Sequence, residues 1–263
     1  AAPPATGLNP AISPRMPSMT NLAHDQPIPH ATPAALRALI ESRRAVRRFT
    51  SEAVPDAIIR DCLELAVLAP NSCNLQPWSF QVVRDPQLLS QLHHVCMSQN
   101  AAKAPLIIAV LARPDTWRQA CQNIIDYWPE PEVPERIRHF YRKTAPFQYN
   151  QGPFGLLGLF KRQLLRLAAL RKPLMRSPNS QAQMRLWAVK STALAAENLM
   201  LAFQSHGYAT CPMEGFDEVR LRQTLDIPRQ AIPIMLLAVG KPGDKAIYNP
   251  RLRFPLEQHV SWL

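Results

Sequence analysis

From Ser180 to His206 the chain runs for more than twenty residues without a proline or glycine, and the next residue is Gly207. Ser180 is a good N-cap, and Gly207 supplies a residue that tolerates the left-handed turn ending a helix. Leu186, Val189, Ala193, Ala196, Leu199, Met200 and Phe203 recur at three- and four-residue intervals. That spacing predicts a long helix buried along much of its length. A helix of this kind needs a sheet or several other helices to cover it, which excludes a small or extended architecture.

The remaining elements are short. Thr32-Pro33 predicts a helix start running to about Ser42, and Pro55 opens a second helix that turns Ile58, Ile59, Cys62, Leu63, Leu65 and Ala66 to a core before Pro70 stops it. Trp78 to Val83, Leu106 to Leu111 and Ile232 to Val239 are apolar runs of strand length. An Asp85-capped helix lies between the first two, and Asp217 caps a short helix before the last. Helices surrounding a few strands predict an α+β fold, not a repeated βαβ one. Residues 1–31 are rich in proline and lack apolar periodicity, so they read as an extended arm ahead of one domain over 32–263. No apolar run reaches the ~18 residues that span a bilayer, and the N-terminus lacks the charged-then-apolar order of a secretory signal. The five cysteines form no C-x-x-C pair, so no metal site is expected and reduced thiols in a cytoplasmic setting are the simpler reading.

The net charge of +11 is unevenly placed. Between Arg136 and Ala196 there are twelve Lys and Arg and no Asp or Glu, leaving the rest of the chain close to neutral. Two further basic clusters, Arg43-Arg44-Ala45-Val46-Arg47 and Arg251-Leu252-Arg253, lie some two hundred residues apart with no acids interleaved. Between them stand two polar, Pro- or Gly-punctuated stretches, Pro70-Asn71-Ser72-Cys73-Asn74-Leu75-Gln76-Pro77-Trp78 and Pro212-Met213-Glu214-Gly215-Phe216-Asp217.

Those four pieces, in that order, resemble the FMN-dependent nitroreductase family. The front of the resemblance covers about 33–112, through the Arg-rich turn, a helix and the Asn-x-Gln-Pro-Trp lead-in to a strand. The back covers about 187–255, through the long helix, the PMEGFD turn, an apolar strand ending in Gly240 and the closing basic pair. It implies a nitroreductase-like fold, a central mixed or antiparallel sheet flanked by helices, with 115–179 as a helical insertion. It also implies an enzyme that takes a hydride from NADH or NADPH onto flavin N5 and passes it, in a ping-pong cycle, to a nitroaromatic, a quinone or a similar small acceptor. Flavin-consuming or dehalogenating chemistry is the alternative on the same fold.

Residue roles follow from the resemblance. Arg43, Arg251 and Arg253 would hold the FMN phosphate, a task suited to the planar guanidinium fork, with Arg44 and Ala45 along the ribityl chain. Ala45 replaces a serine common in the family, losing a hydroxyl contact of about 0.5 to 1.5 kcal/mol. Arg47 would face N1 and O2, where negative charge builds on reduction. Glu214 and Gly215 would offer backbone N–H groups to N5 and O4, with Pro212 and Met213 against the ring. Ser72, Cys73, Asn74 and Gln76 would come from the second subunit of a homodimer with FMN at its interface. Arg47 and Glu214 are the candidates for a direct catalytic part, although the backbone of Glu214 counts for more than its carboxylate. Cys73 reads as a small packing residue beside the ring, and His93 and His94 have no ligand-spaced partner.

The insertion admits two uses. On a helical wheel Lys161, Arg162, Arg166, Lys172 and Arg176 share one side, and Leu156, Phe160, Leu164, Leu167, Leu170 and Leu174 the other. The favoured expectation is a lid that docks this apolar face on the body over the flavin. The competing one is an interfacial helix that makes the protein membrane-peripheral. Nucleic acid is not an expected partner, because aromatic residues are not interleaved with the basic ones.

Overall fold

A computed structural model describes residues 32–98, 100–171 and 173–263; the expected N-terminal arm and Lys172 lie outside the described residues. Four antiparallel strands form one sheet in the order β1-β2-β4-β3. They are β1 (Trp78–Val83), β2 (Leu106–Ala112), β3 (Ala209–Met213) and β4 (Ile232–Gly240). The two central strands are the most apolar, because both of their faces are covered. Ile107, Ala109, Leu236 and Ala238 point to one face, under α3 (Pro86–Val95) and α9 (Glu218–Thr224). Leu106, Ile108, Leu237 and Val239 point to the other, under α2 (Asp56–Ala66) and α8 (Gln181–Ser205). Alternation of side chains along each strand sorts these residues into two cores.

The expected caps are present. Thr32 accepts from the Ala35 N–H at the start of α1 (Pro33–Ser42), Asp85 caps α3 through Gln87 and Leu88, and Asp217 caps α9 through Val219 and Arg220. Gly207 follows α8 with φ +70°, the left-handed value its position demands. β3 was not expected as a strand: read from sequence it is the turn into PMEGFD. Its five residues pair with β4 because the sheet, not their own pattern, supplies the partner.

α8 corrects the predicted stripe in its first half. Leu186 and Ala193 are exposed, and the buried positions are Met184, Trp187, Ala188, Ser191, Thr192, Ala195 and Ala196, continuing through Leu199, Met200 and Phe203. The shift has a cause. The C-terminal half of α8 packs on the sheet, whereas the N-terminal half receives a third core from the insertion, containing Trp117, Cys121, Ala145 and Tyr149. The insertion comprises α4 (Trp117–Asp126), α5 (Glu135–His139), α6 (Ala145–Tyr149) and α7 (Leu156–Ala168), with a π-helical turn, Phe140–Thr144, joining α5 to α6.

Candidate flavin site

The Arg-rich turn leaves α1 and runs beside β3. Ala45 bridges Thr210, the Val46 N–H donates to the Thr210 carbonyl at 3.0 Å, and the Arg47 N–H donates to the Ala246 carbonyl at 2.9 Å. Extended backbone sends Val46 into the core and leaves Arg43, Arg44 and Arg47 half-buried on the opposite side. The C-terminal segment closes over them. Arg251 Nη2 donates to the Arg43 carbonyl at 2.6 Å, and Arg44 Nη2 donates to the Asn249 carbonyl at 2.7 Å. The result is one cleft lined by Arg43, Arg44, Ala45, Arg47, Arg251 and Arg253, with Tyr248 at its side. Arg47 lies 5.7 Å from the Tyr248 ring centroid, within cation–π range.

Among the described residues none of these five guanidinium groups has a carboxylate partner. Arg43 Nη1 is buried without any hydrogen-bond acceptor. A buried cationic donor left unpaired is costly, and a phosphate oxygen in the cleft would satisfy it. The residues present therefore fit the phosphate end of FMN. Two stretches separated by some two hundred residues meet here, as their motifs led us to expect.

The PMEGFD turn continues from β3 next to this cleft. Cys211 reports the proximity: burial raises its thiol, and the charges of Arg47 and Arg43 pull it back down in part. Beyond the strand the Gly215 carbonyl accepts from the Met97 N–H at 2.8 Å, which pins the turn. Among the described residues the N–H groups of Glu214 and Gly215 donate to no protein acceptor, so both are open to a ligand. Glu214 and Gly215 are exposed, Pro212 is half-buried, and Met213 is only 3% exposed and turned into the core. The Met213 side chain therefore does not face a flavin ring, contrary to expectation; alternation along β3 places it on the inner face with Cys211.

Ser72, Cys73, Asn74 and Gln76 stand elsewhere. Their turn precedes β1, the edge strand farthest from β3, so three inter-strand steps of about 5 Å separate the two edges. The turn also lies at the opposite end of the sheet, since Trp78 aligns through Ala112 with Ile232, whereas Thr210 aligns with Val239. Within one chain the two halves of the expected site do not meet.

The turn is strained and held. Cys73, Asn74 and Gln76 all have positive φ, at 57°, 47° and 44°, which costs each non-glycine residue of order 1 kcal/mol or more. Asn71 Oδ1 accepts from the Gln76 N–H at 2.8 Å, and Thr192 Oγ1 on α8 donates to the Pro77 carbonyl at 3.0 Å. Two residues that sequence reasoning missed complete the clamp. Tyr141, in the π-helical turn, donates to the Cys73 carbonyl at 3.1 Å, and Tyr149 pairs its hydroxyl with Ser72 Oγ at 3.2 Å. Burial raises both phenols, keeping them protonated. Their only sequence signal was a cluster of four aromatics, Phe140, Tyr141, Phe147 and Tyr149, in an otherwise basic segment.

The insertion departs from the lid expectation. Lys161, assigned to the solvent side, is buried, and Leu164, Leu167 and Leu170 face outward. The reason is hydrogen bonding. Lys161 Nζ donates to the carbonyls of Phe147, Gln148 and Asn150 at 2.9, 3.1 and 2.6 Å, closing the C-terminal end of α6. Carbonyls left open at a helix end, on the negative pole of its dipole, attract an ammonium group more strongly than a leucine face attracts that surface. Burial pulls the Lys161 ammonium below its ordinary pKa, and the three carbonyls work against that loss.

Comparison with known proteins identifies the arrangement. The description "Nitroreductase family" matches residues 40–241. The chain belongs to the nitroreductase family. It is 28% identical over 237 residues to a protein named NADH dehydrogenase from Thermus thermophilus, covering 90% of this chain and 97% of that one. It is 25% identical over 227 residues to YodC of Bacillus subtilis, named as an NAD(P)H nitroreductase, covering 86% and 97%. A nitroreductase structure from Exiguobacterium sibiricum, solved in complex with FMN, superposes with a TM-score of 0.64 at 20% identity, covering 86% of this chain and 96% of that one. At that identity the superposition establishes the shared nitroreductase fold. No described helix of this family member is long and apolar enough to cross a membrane.

Proposed function

We propose that this chain is an FMN-dependent oxidoreductase that draws electrons from NADH or NADPH and delivers them to a small acceptor of the nitroaromatic or quinone class. One observation carries the reading: five guanidinium groups without carboxylate partners among the described residues converge on one cleft, and Arg43 Nη1 is buried and unpaired among those residues. The names of the relatives support the reaction class.

Bound FMN would supply the hydride-carrying chemistry between donor and acceptor. The chain's own residues hold and tune. Arg43, Arg251 and Arg253 bind the phosphate, and Arg44 and Ala45 border the ribityl chain. Arg47 places a cation beside the pyrimidine edge and stabilises negative charge there. The open N–H groups of Glu214 and Gly215 orient the ring from the side opposite the core.

Because the Ser72 turn lies at the far edge of the sheet, it serves this site only when a second copy brings it there. The active unit is accordingly a homodimer with FMN at its interface, each subunit built on residues 32–263 with 115–179 as its insertion. Tyr141 and Tyr149 then act as positioning residues for the partner's half of the site. The visible absorption spectrum of the purified protein, before and after anaerobic NADH or NADPH, tests the reading. Flavin bands that bleach on addition of donor are expected; a colourless protein that stays colourless with added FMN overturns it.

A further inference from the structure

α7 is fixed to the body by one face only. Lys161 is 2% exposed on that face, and Gly158 beside it packs so closely that a Cβ would lie 2.6 Å from the Asn179 carbonyl oxygen. At 100° per residue, Gly158, Lys161 and Leu165 define the inward side. The outward arc then holds Leu156, Leu159, Phe160, Leu164 and Leu167, with Gln163 as a polar residue among them; Phe160 is 68% and Leu167 69% exposed. The arc continues at both ends into Phe154, 98% exposed, and Leu170, 84% exposed. So long an apolar surface is unusual on a free protein face.

Charge decides what would cover it. Arg162 and Arg166 are exposed along one border of the arc and have no carboxylate partner among the described residues. From Arg136 to Ala196 there is no acid to repel an anionic surface. An apolar ridge edged by arginines matches a bilayer interface, where leucine and phenylalanine enter the headgroup–acyl boundary and guanidinium groups reach lipid phosphates. Thirteen helical residues extend about 20 Å, short of the ~30 Å hydrocarbon core, so α7 would lie in the interface and not cross it. We propose that α7 and its flanking turns dock this protein on an anionic phospholipid surface.

The test is co-sedimentation of the purified full chain with phosphatidylcholine vesicles, with and without phosphatidylglycerol. Binding is expected to anionic vesicles, roughly tenfold or more weaker to neutral ones, and weakened by high salt. Leu159→Gln with Leu167→Gln should cut binding at least about tenfold while leaving the melting temperature and sedimentation coefficient in lipid-free buffer unchanged. Arg162→Gln with Arg166→Gln should lose roughly tenfold on anionic vesicles and nothing on neutral ones. The proposal is overturned if the wild type fails to pellet with anionic vesicles, or if both double variants bind as it does. It is equally overturned if the leucine variant changes a dimer into a monomer, since the face would then belong to a second copy.

Discussion

The arginine cleft and the insertion are both basic and both poor in acids, yet their cations do opposite things. In the cleft, guanidinium groups from two distant stretches line one pocket, three of them tied to backbone carbonyls, and Arg43 Nη1 is left with no partner. In the insertion most cations spread over the surface. Among the described residues the one that is buried, Lys161, is already satisfied by three carbonyls. Charge density therefore says little about role. What matters is whether the donors converge and whether the fold has already supplied their acceptors.

Removing two convergent charges should have the largest effect. Arg43→Ala with Arg253→Ala should yield a folded protein that no longer retains FMN, because each charged hydrogen bond contributes about 1.5 to 3 kcal/mol. A loss of at least about a hundredfold in affinity is expected by fluorescence titration, and stoichiometric flavin in the double variant would break the assignment of the cleft.

The insertion should respond in stability instead of binding. Lys161→Met removes the ammonium from the end of α6 and leaves its carbonyls unmet, at a cost of roughly 2 to 3 kcal/mol. Limited proteolysis should then cut within residues 145–180 faster than in the wild type, while FMN affinity in the arginine cleft stays the same. Unchanged proteolysis would show that Lys161 is dispensable.

Within the cleft, Arg47 should separate from the phosphate arginines. Arg47→Gln should keep FMN and lower its midpoint potential by about 30 mV or more, equivalent to roughly 1.4 kcal/mol for a two-electron couple. Spectroelectrochemistry reads this directly, and an unmoved potential removes Arg47 from that role.

The smallest contrast lies in the thiols. Cys73, in the strained turn clamped by the insertion, is half-exposed, whereas Cys211, beside the cleft, is buried. Burial also pushes the Cys62 thiol up to about 12 and those of Cys96 and Cys121 up to about 11. The reactive species is the thiolate, so at pH 8 a disulfide reagent should titrate one cysteine quickly in the native, flavin-free protein and the rest only after unfolding. Rapid labelling of Cys211 would mean that the cleft side opens more readily than the turn side.

Local signals carried much of the fold. β1 occupies Trp78–Val83, the span its apolar run predicts, and α8 ends at the turn set by Gly207. Thr32, Asp85 and Asp217 cap the helices they were expected to cap. Each of these depends on residues within a few positions of one another, where side-chain chemistry and backbone geometry are coupled directly. The order of the four motifs extended that reading to the family and to which arginines would converge.

What lay beyond sequence was every choice that depends on a distant partner. β3 is a strand because β4 stands beside it. The buried stripe of α8 shifts along its length because two different cores press on its two halves. The Ser72 turn and the arginine cleft share a motif order but occupy opposite edges of the sheet, a separation no local pattern encodes. Tyr141 and Tyr149 matter only because the insertion folds back on that turn. α7 has an apolar and a basic face in sequence, and hydrophobicity alone favours burying the leucines. Three unsatisfied carbonyls at the end of α6 reversed that choice, because open hydrogen-bond acceptors at a buried helix terminus cost more than exposed leucines on a surface.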